Sequence, residues 1–114
     1  MVGVSAPPQL ILGQSATLEC NFDLEGSRLY SVKWYKNGEE FYRYMPAMER
    51  QYDVFRVQGV HIDLAYSNFK TVHMSSVSLD TRGVYRCEVS NEFPVFNTVS
   101  QSVHLHVVGE TSND

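Results

Sequence analysis

The fold class this sequence predicts is an all-β sandwich of two packed sheets, and three observations predict it. Apolar and polar residues alternate with period two in segment after segment, with turn residues between them and no helix-period stretch or repeat. Two cysteines, Cys20 and Cys87, each sit inside such a segment and are each other's only possible partner. Between and beside them stand Trp34, in the alternating run YSVKWYK, and Tyr85, two residues before Cys87 in DTRGVYRC.

Cysteine, tryptophan and Tyr-x-Cys in this order and at these separations are the frame of an immunoglobulin-like sandwich with an inter-sheet Cys20–Cys87 disulfide. In that frame the Tyr85 ring turns inward and its hydroxyl bonds back to upstream backbone, while Gly83 permits the corner before it. The elements follow in order. Val2 to Pro8 reads as a first edge strand that Pro7-Pro8 interrupts, where the chain crosses between sheets before Leu10–Leu12 resumes. SATLECNF alternates Ala16, Leu18, Cys20 and Phe22 inward, and DLEGSRL is a polar loop. YSVKWYK puts Val32 and Trp34 inside and Lys33 and Tyr35 outside, and Asn37-Gly38 is a hairpin turn returning the chain as EEFYRYM. The stretch after Pro46 exceeds a plain hairpin, so an extra strand around Tyr52 to Val57 is expected, which makes the sandwich V-type. VHIDL is read as a strand with Val60, Ile62 and Leu64 inward, AYSN as a turn, and KTVHMSSV as a strand with Val72, Met74 and Val77 in the core. Tyr85, Cys87 and Val89 point inward on the next strand, NEFPVFN is a loop, and SVHLHVV closes the domain with Val103, Leu105 and Val107 inward. Residues 1–108 are therefore one V-type domain, and 109–114 a polar tail or linker.

Composition narrows the function. A formal charge of −4 with 19% charged residues lacks the dense basic surface that nucleic acid requires. No apolar run approaches the ~18 residues of a membrane-spanning helix. The widely spaced cysteines fit neither a zinc cluster nor a Cys-x-x-Cys redox pair, and the disulfide reading implies an oxidising, extracellular compartment. Met1-Val2-Gly3-Val4 has no leader character, so the chain is read as an excised mature domain. No Asn-x-Ser/Thr acceptor occurs.

No nucleophile with a local signature, strand-to-helix elbow or phosphate loop is present, which argues against an enzyme, and no cofactor is expected. His104-x-His106, with Glu88 on the neighbouring strand as a third ligand, is the one metal-like pattern, but solvated histidines on a sheet exterior are the preferred reading. His61 and His73 belong to the opposite sheet. The informative surface surrounds the third and fourth strands. Lys33 and Tyr35 point out, Tyr42 and Tyr44 share a face of the next strand (with Phe41 and Arg43 as the other parity), and Arg86 and Glu88 extend the surface. Tyrosine and arginine among mixed charges are residue types enriched in binding hot spots. Phe93 and Phe96 stand in the adjoining loop, Phe96 alternatively tucking into the core.

Three blocks carry a family resemblance: LYSVKWYKNGEEFYRYMP (Leu29 to Pro46), GVHIDL (Gly59 to Leu64) and VSLDTRGVYRCEVSNEFPVFNTV (Val77 to Val99). Together they resemble the first immunoglobulin domain of the insect beaten path family, over nearly the whole chain, with the middle insertion Ala47 to Val57 the weakest part. The resemblance implies the membrane-distal domain of a cell-surface or secreted neuronal protein of two such domains. It implies a role in axon guidance and heterophilic binding to a sidestep-family receptor. Carried onto this chain, the working face is Lys33, Tyr35, Tyr42, Arg43, Tyr44, Arg86 and Glu88, with Phe93 and Phe96 at its loop edge. A homophilic adhesion module using the same face is the alternative. Two departures from antibody-like domains stand out. SQSVHLHV lacks the Phe-Gly-x-Gly bulge of paired domains. Thr81 stands where an aspartate often pairs with an arginine, so hydrogen bonds are expected to hold that end.

Overall fold

The computed structural model describes residues 2–94 and 96–109; of the tail assigned to 109–114, everything beyond Gly109 lies outside the described residues. Among the described residues ten strands run in order: β1 (Val2–Ser5), β2 (Leu10–Ile11), β3 (Ala16–Phe22), β4 (Leu29–Lys36), β5 (Glu39–Tyr44), β6 (Tyr52–Val54), β7 (Thr71–Met74), β8 (Gly83–Asn91), β9 (Asn97–Leu105) and β10 (Val107–Val108). One layer is the three-stranded sheet β1-β3-β7, the other the five-stranded sheet β6-β5-β4-β8-β9. As the prolines predict, the chain changes partner after β1, and β2 pairs parallel with β10.

The alternation of β3, β4 and β8 is realised as packing. Leu18, Cys20, Trp34, Val72, Met74, Tyr85, Cys87 and Leu105 are buried between the sheets. Cys20 and Cys87 are bonded, with Trp34 directly opposite Cys87 in the ladder. Closing a loop of this length contributes roughly 4 kcal/mol in the chain-entropy account. The Asn37-Gly38 hairpin forms with positive φ at both residues, 49° and 87°.

The end of the sandwich below β8 is held by hydrogen bonds, as Thr81 predicts. Buried Thr81 donates its hydroxyl to the Gly59 carbonyl (2.7 Å) and accepts from the Ser78 N–H (2.9 Å). The Tyr85 hydroxyl donates to the Thr81 carbonyl. Lys36, only 7% exposed, turns inward and donates Nζ to the carbonyls of Gln58 (3.0 Å) and Asp80 (2.6 Å). Gly59 has φ +84°, and a Cβ there would lie 2.1 Å from the Asp80 oxygen, so the two segments approach closer than any side chain allows.

Two expectations fail. VHIDL forms no strand beyond a single Ile62–Met74 bridge. The Asp63 side chain accepts from the Ala65 N–H and starts a 3-10 turn over Leu64–Tyr66, which leaves Leu64 57% exposed instead of inward. The extra strand is also shorter than Tyr52 to Val57: it ends at Val54, and Phe55 to Arg56 continue as irregular chain.

Candidate functional site: the outer face of the five-stranded sheet

Register fixes which side chains meet on this face. Lys33 lies opposite Arg43 on one side and Glu88 on the other, and Glu88 lies opposite Ser100. One step along, Tyr35 lies between Glu40 and Arg86, and Arg86 lies opposite Ser102. Two rows thus cross the sheet from β5 to β9. Each carries both signs of charge: Lys33 stands between like-charged Arg43 and opposite-charged Glu88, and Tyr35 stands between Glu40 and Arg86, so the favourable cross-strand pairs are Lys33–Glu88 and Tyr35–Arg86.

The first row meets the second through specific contacts. The Tyr35 hydroxyl donates to Glu88 Oε1 at 3.2 Å, and the Arg86 guanidinium lies 4.3 Å from the Tyr35 ring centroid. Burial, and after it the Glu88 carboxylate, pushes the Tyr35 hydroxyl above its ordinary pKa, so it stays a neutral donor. Arg43 holds Glu40 through two bonds, Nε to Oε2 at 2.7 Å and Nη2 to Oε1 at 2.9 Å. Its guanidinium also lies 5.0 Å from the centre of the Phe55 ring. This forked pair raises the Arg43 pKa and locks the side chain flat on the sheet. Among the described residues, Arg86 Nε is buried without an acceptor.

Of the residues expected here, Lys33, Tyr35, Arg43, Arg86 and Glu88 are brought together. Tyr42 and Tyr44 are not. Tyr42 is 2% exposed, sits opposite inward-facing Trp34, and gives its hydroxyl to the Asn68 carbonyl (3.2 Å). Tyr44, opposite Val32, packs in an inner aromatic group with Tyr52 and Phe69. The cause is a bulge: Trp34 pairs with Tyr42 but Tyr35 pairs with Glu40, so Phe41 is the extra residue. Phe41 therefore turns inward too, against the Tyr85 ring at 5.8 Å. The same bulge brings Glu40 and Arg43 onto one face. Glu40 and Phe55 are site residues not singled out from the sequence; Glu40 has the parity of Tyr42 and Tyr44, and it is the bulge that makes it share the outer face with Arg43 instead.

Phe93 and Phe96 are both exposed, Phe96 at 78%, so it does not enter the core. Their loop is tied to the 24–28 loop rather than to the rows. Arg28 N–H donates to the Phe93 carbonyl, Glu92 N–H donates to the Arg28 carbonyl, and the Arg28 guanidinium lies 5.9 Å from the Phe93 ring. His104 and His106 stack on each other at 4.2 Å. Glu88 is not beside them, because His104 pairs with Val84, four positions along β8, a separation of about 13 Å. His73 lies on the opposite sheet, bonded to Thr17.

This geometry has relatives. Residues 4–108 match the immunoglobulin V-set domain family. Among solved structures, murine CEACAM1b superposes with TM-score 0.73 at 18% identity, covering 98% of this chain and 56% of that one. A chain of the complex between the mouse coronavirus receptor-binding domain and its murine receptor gives 0.77 at 19% identity, with the same coverage of 98% and 56%. At such identity the likeness is one of fold. The Caenorhabditis elegans muscle M-line assembly protein unc-89 is 31% identical over 87 residues, 76% of this chain but 1% of that protein's length. With the disulfide, the tryptophan opposite it, the tyrosine corner and the two-sheet order all in place, the family match is explained residue by residue: the chain belongs to the immunoglobulin V-set domain family.

Proposed function

We infer that this domain is a non-enzymatic protein-recognition module that binds its partner through the outer face of the five-stranded sheet. The observation that carries the reading is the pair of rows across β5, β4 and β8, where Tyr35, Arg86 and Glu88 interlock beside the Arg43–Glu40 pair. Rigid aromatic and guanidinium groups held by neighbours lose little freedom on binding. The bridged Cys20–Cys87 pair supports an oxidising, extracellular setting, at the cell surface or secreted.

The partner we propose is a sidestep-type immunoglobulin receptor, bound heterophilically in axon guidance. That choice rests on the resemblance of Leu29–Pro46 and Val77–Val99 to the beaten path family. The neighbours' fold supports a V-set domain as a protein-binding unit and does not select the partner. The partner-facing set is Lys33, Tyr35, Glu40, Arg43, Arg86 and Glu88, with Phe93 and Phe96 as contacts at the loop end.

A binding screen of the domain against cell-surface immunoglobulin ectodomains tests this, with sidestep-type receptors and the domain itself included. The expected result is one saturable sidestep-type partner, lost in Tyr35→Ala and in Arg86→Glu while thermal stability is unchanged. Binding that survives both substitutions moves the site off this face. Binding only to other receptors overturns the partner assignment and keeps the face.

A further inference from the structure

We propose that β9 is a self-complementary edge through which two copies of this chain join their five-stranded sheets side by side. This goes beyond the recognition reading and does not rest on it, since it uses the rim of the sheet and not its face. A free strand edge presents unpaired N–H and C=O groups, and proteins ordinarily blunt such edges with charge, proline, brevity or a cover.

The other edges here are blunted in those ways. β6 has three residues and carries Asp53. β1 has four and runs into Pro7-Pro8. β7 is covered by the 61–63 segment, whose Asp63 N–H reaches the His73 carbonyl at 2.8 Å while the Ser75 N–H reaches the His61 carbonyl at 3.1 Å. β9 is different. It is nine residues long, contains no charged residue and no proline, and among the described residues hydrogen-bonds to β8 alone, with β1 packed beside its inner side, where Gln101 Oε1 lies 3.8 Å from the place a Gly3 Cβ would occupy. Its central segment is exposed from Thr98 to Ser102.

The occupant is read from the sequence of the edge itself. Val99-Ser100-Gln101-Ser102-Val103 is the same in both directions. Antiparallel pairing about a two-fold axis at Gln101 therefore sets Val99 against Val103, Ser100 against Ser102, and Gln101 against its twin. Apolar meets apolar on the inner side, hydroxyl meets hydroxyl on the outer side, and no charge is placed against a like charge. Just outside the palindrome, Thr98 comes opposite His104, a hydroxyl against an imidazole. Either hydrogen-bonding parity of the edge accepts an axis at this residue. Positions related by the axis also share a face, so the two copies present their outer rows on the same side of one continuous sheet. The Arg86–Ser102 row of one copy would run into the Ser100–Glu88 row of the other.

Sedimentation velocity of the 114-residue chain from micromolar to near-millimolar concentration tests the edge, together with two substitutions. Gln101 is exposed, so Gln101→Lys should preserve the fold while setting two like charges against each other on the axis. The expected result is a concentration-dependent dimer in the native chain and a monomer in Gln101→Lys with unchanged melting temperature. Gln101→Cys should give a disulfide-linked dimer on mild oxidation, because twin positions on the axis lie about 4.5–5.5 Å apart, within disulfide reach. Thr98→Cys, roughly 20 Å from its twin, should not. A monomer throughout overturns the proposal, as does a dimer that survives Gln101→Lys. A dimer lost in Tyr35→Ala but kept in Gln101→Lys assigns self-contact to the outer face instead. Receptor binding measured on Gln101→Lys separates the two readings, since the edge substitution should leave it intact.

Discussion

The hydrogen-bonded end below β8 and the outer face of the five-stranded sheet use the same residue types toward different ends. Each pairs a tyrosine with a cationic side chain. At the end, Tyr85 and Lys36 bond backbone carbonyls of Thr81, Gln58 and Asp80, and both side chains are buried. On the face, Tyr35 and Arg43 bond the carboxylates of Glu88 and Glu40, and all four are half-exposed. A carbonyl inside the fold has no substitute partner, whereas an exposed carboxylate has water. The difference teaches that the partner's nature, more than the residue's, decides whether a polar contact serves stability or recognition.

The comparison can be broken at several points. Removing the covalent link by Cys20→Ala with Cys87→Ala should have the largest effect, about 4 kcal/mol of unfolding free energy by denaturant titration. Lys36→Met should come next, at about 2–3 kcal/mol, because two buried carbonyls lose a charged donor; a change near zero would mean that water replaces the ammonium. Tyr85→Phe should cost about 1–2 kcal/mol and leave partner binding unaltered. On the face, Arg43→Ala and Tyr35→Phe should each shift stability by no more than about 0.5 kcal/mol, and a larger loss would merge the two regions.

Alkaline titration sharpens the same contrast. Burial raises the pKa of Tyr85 and of Tyr42 above the ordinary 10.0. Their folded forms therefore hold protons that the unfolded chain has released once the pH passes about 10. Stability should be level below that point and fall steadily above it. Tyr85→Phe should flatten part of the fall, and circular dichroism melts between neutral and strongly alkaline pH would show it.

Most of the fold was legible because it depends on period and on landmark residues. The Cys20–Trp34–Tyr85–Cys87 frame, the Asn37-Gly38 turn and the switch at Pro7-Pro8 are local signals, and the structure realises each. The face was legible only in part. A bulge adds one residue without a mark of its own, so strict alternation kept Tyr42 on the outer face, where the structure turns it inward and sets Arg43 beside Glu40. Leu64 was misplaced because Asp63 captured local backbone and ended the extended run. Lys36 is the instructive case: the alternation that sends Val32 and Trp34 inward also sends Lys36 inward, charge notwithstanding.

The position of Lys36 has a practical consequence for anyone attaching this protein to a surface. The chain has three lysines, and one of them is sequestered by carbonyl oxygens. Among the lysines, amine-directed coupling would therefore fall on Lys33 and Lys70, and Lys33 stands in the middle of the proposed recognition face. Immobilisation through random acylation would blind a share of the molecules and make a real affinity look like partial activity. Capture through a terminal tag would leave that face open.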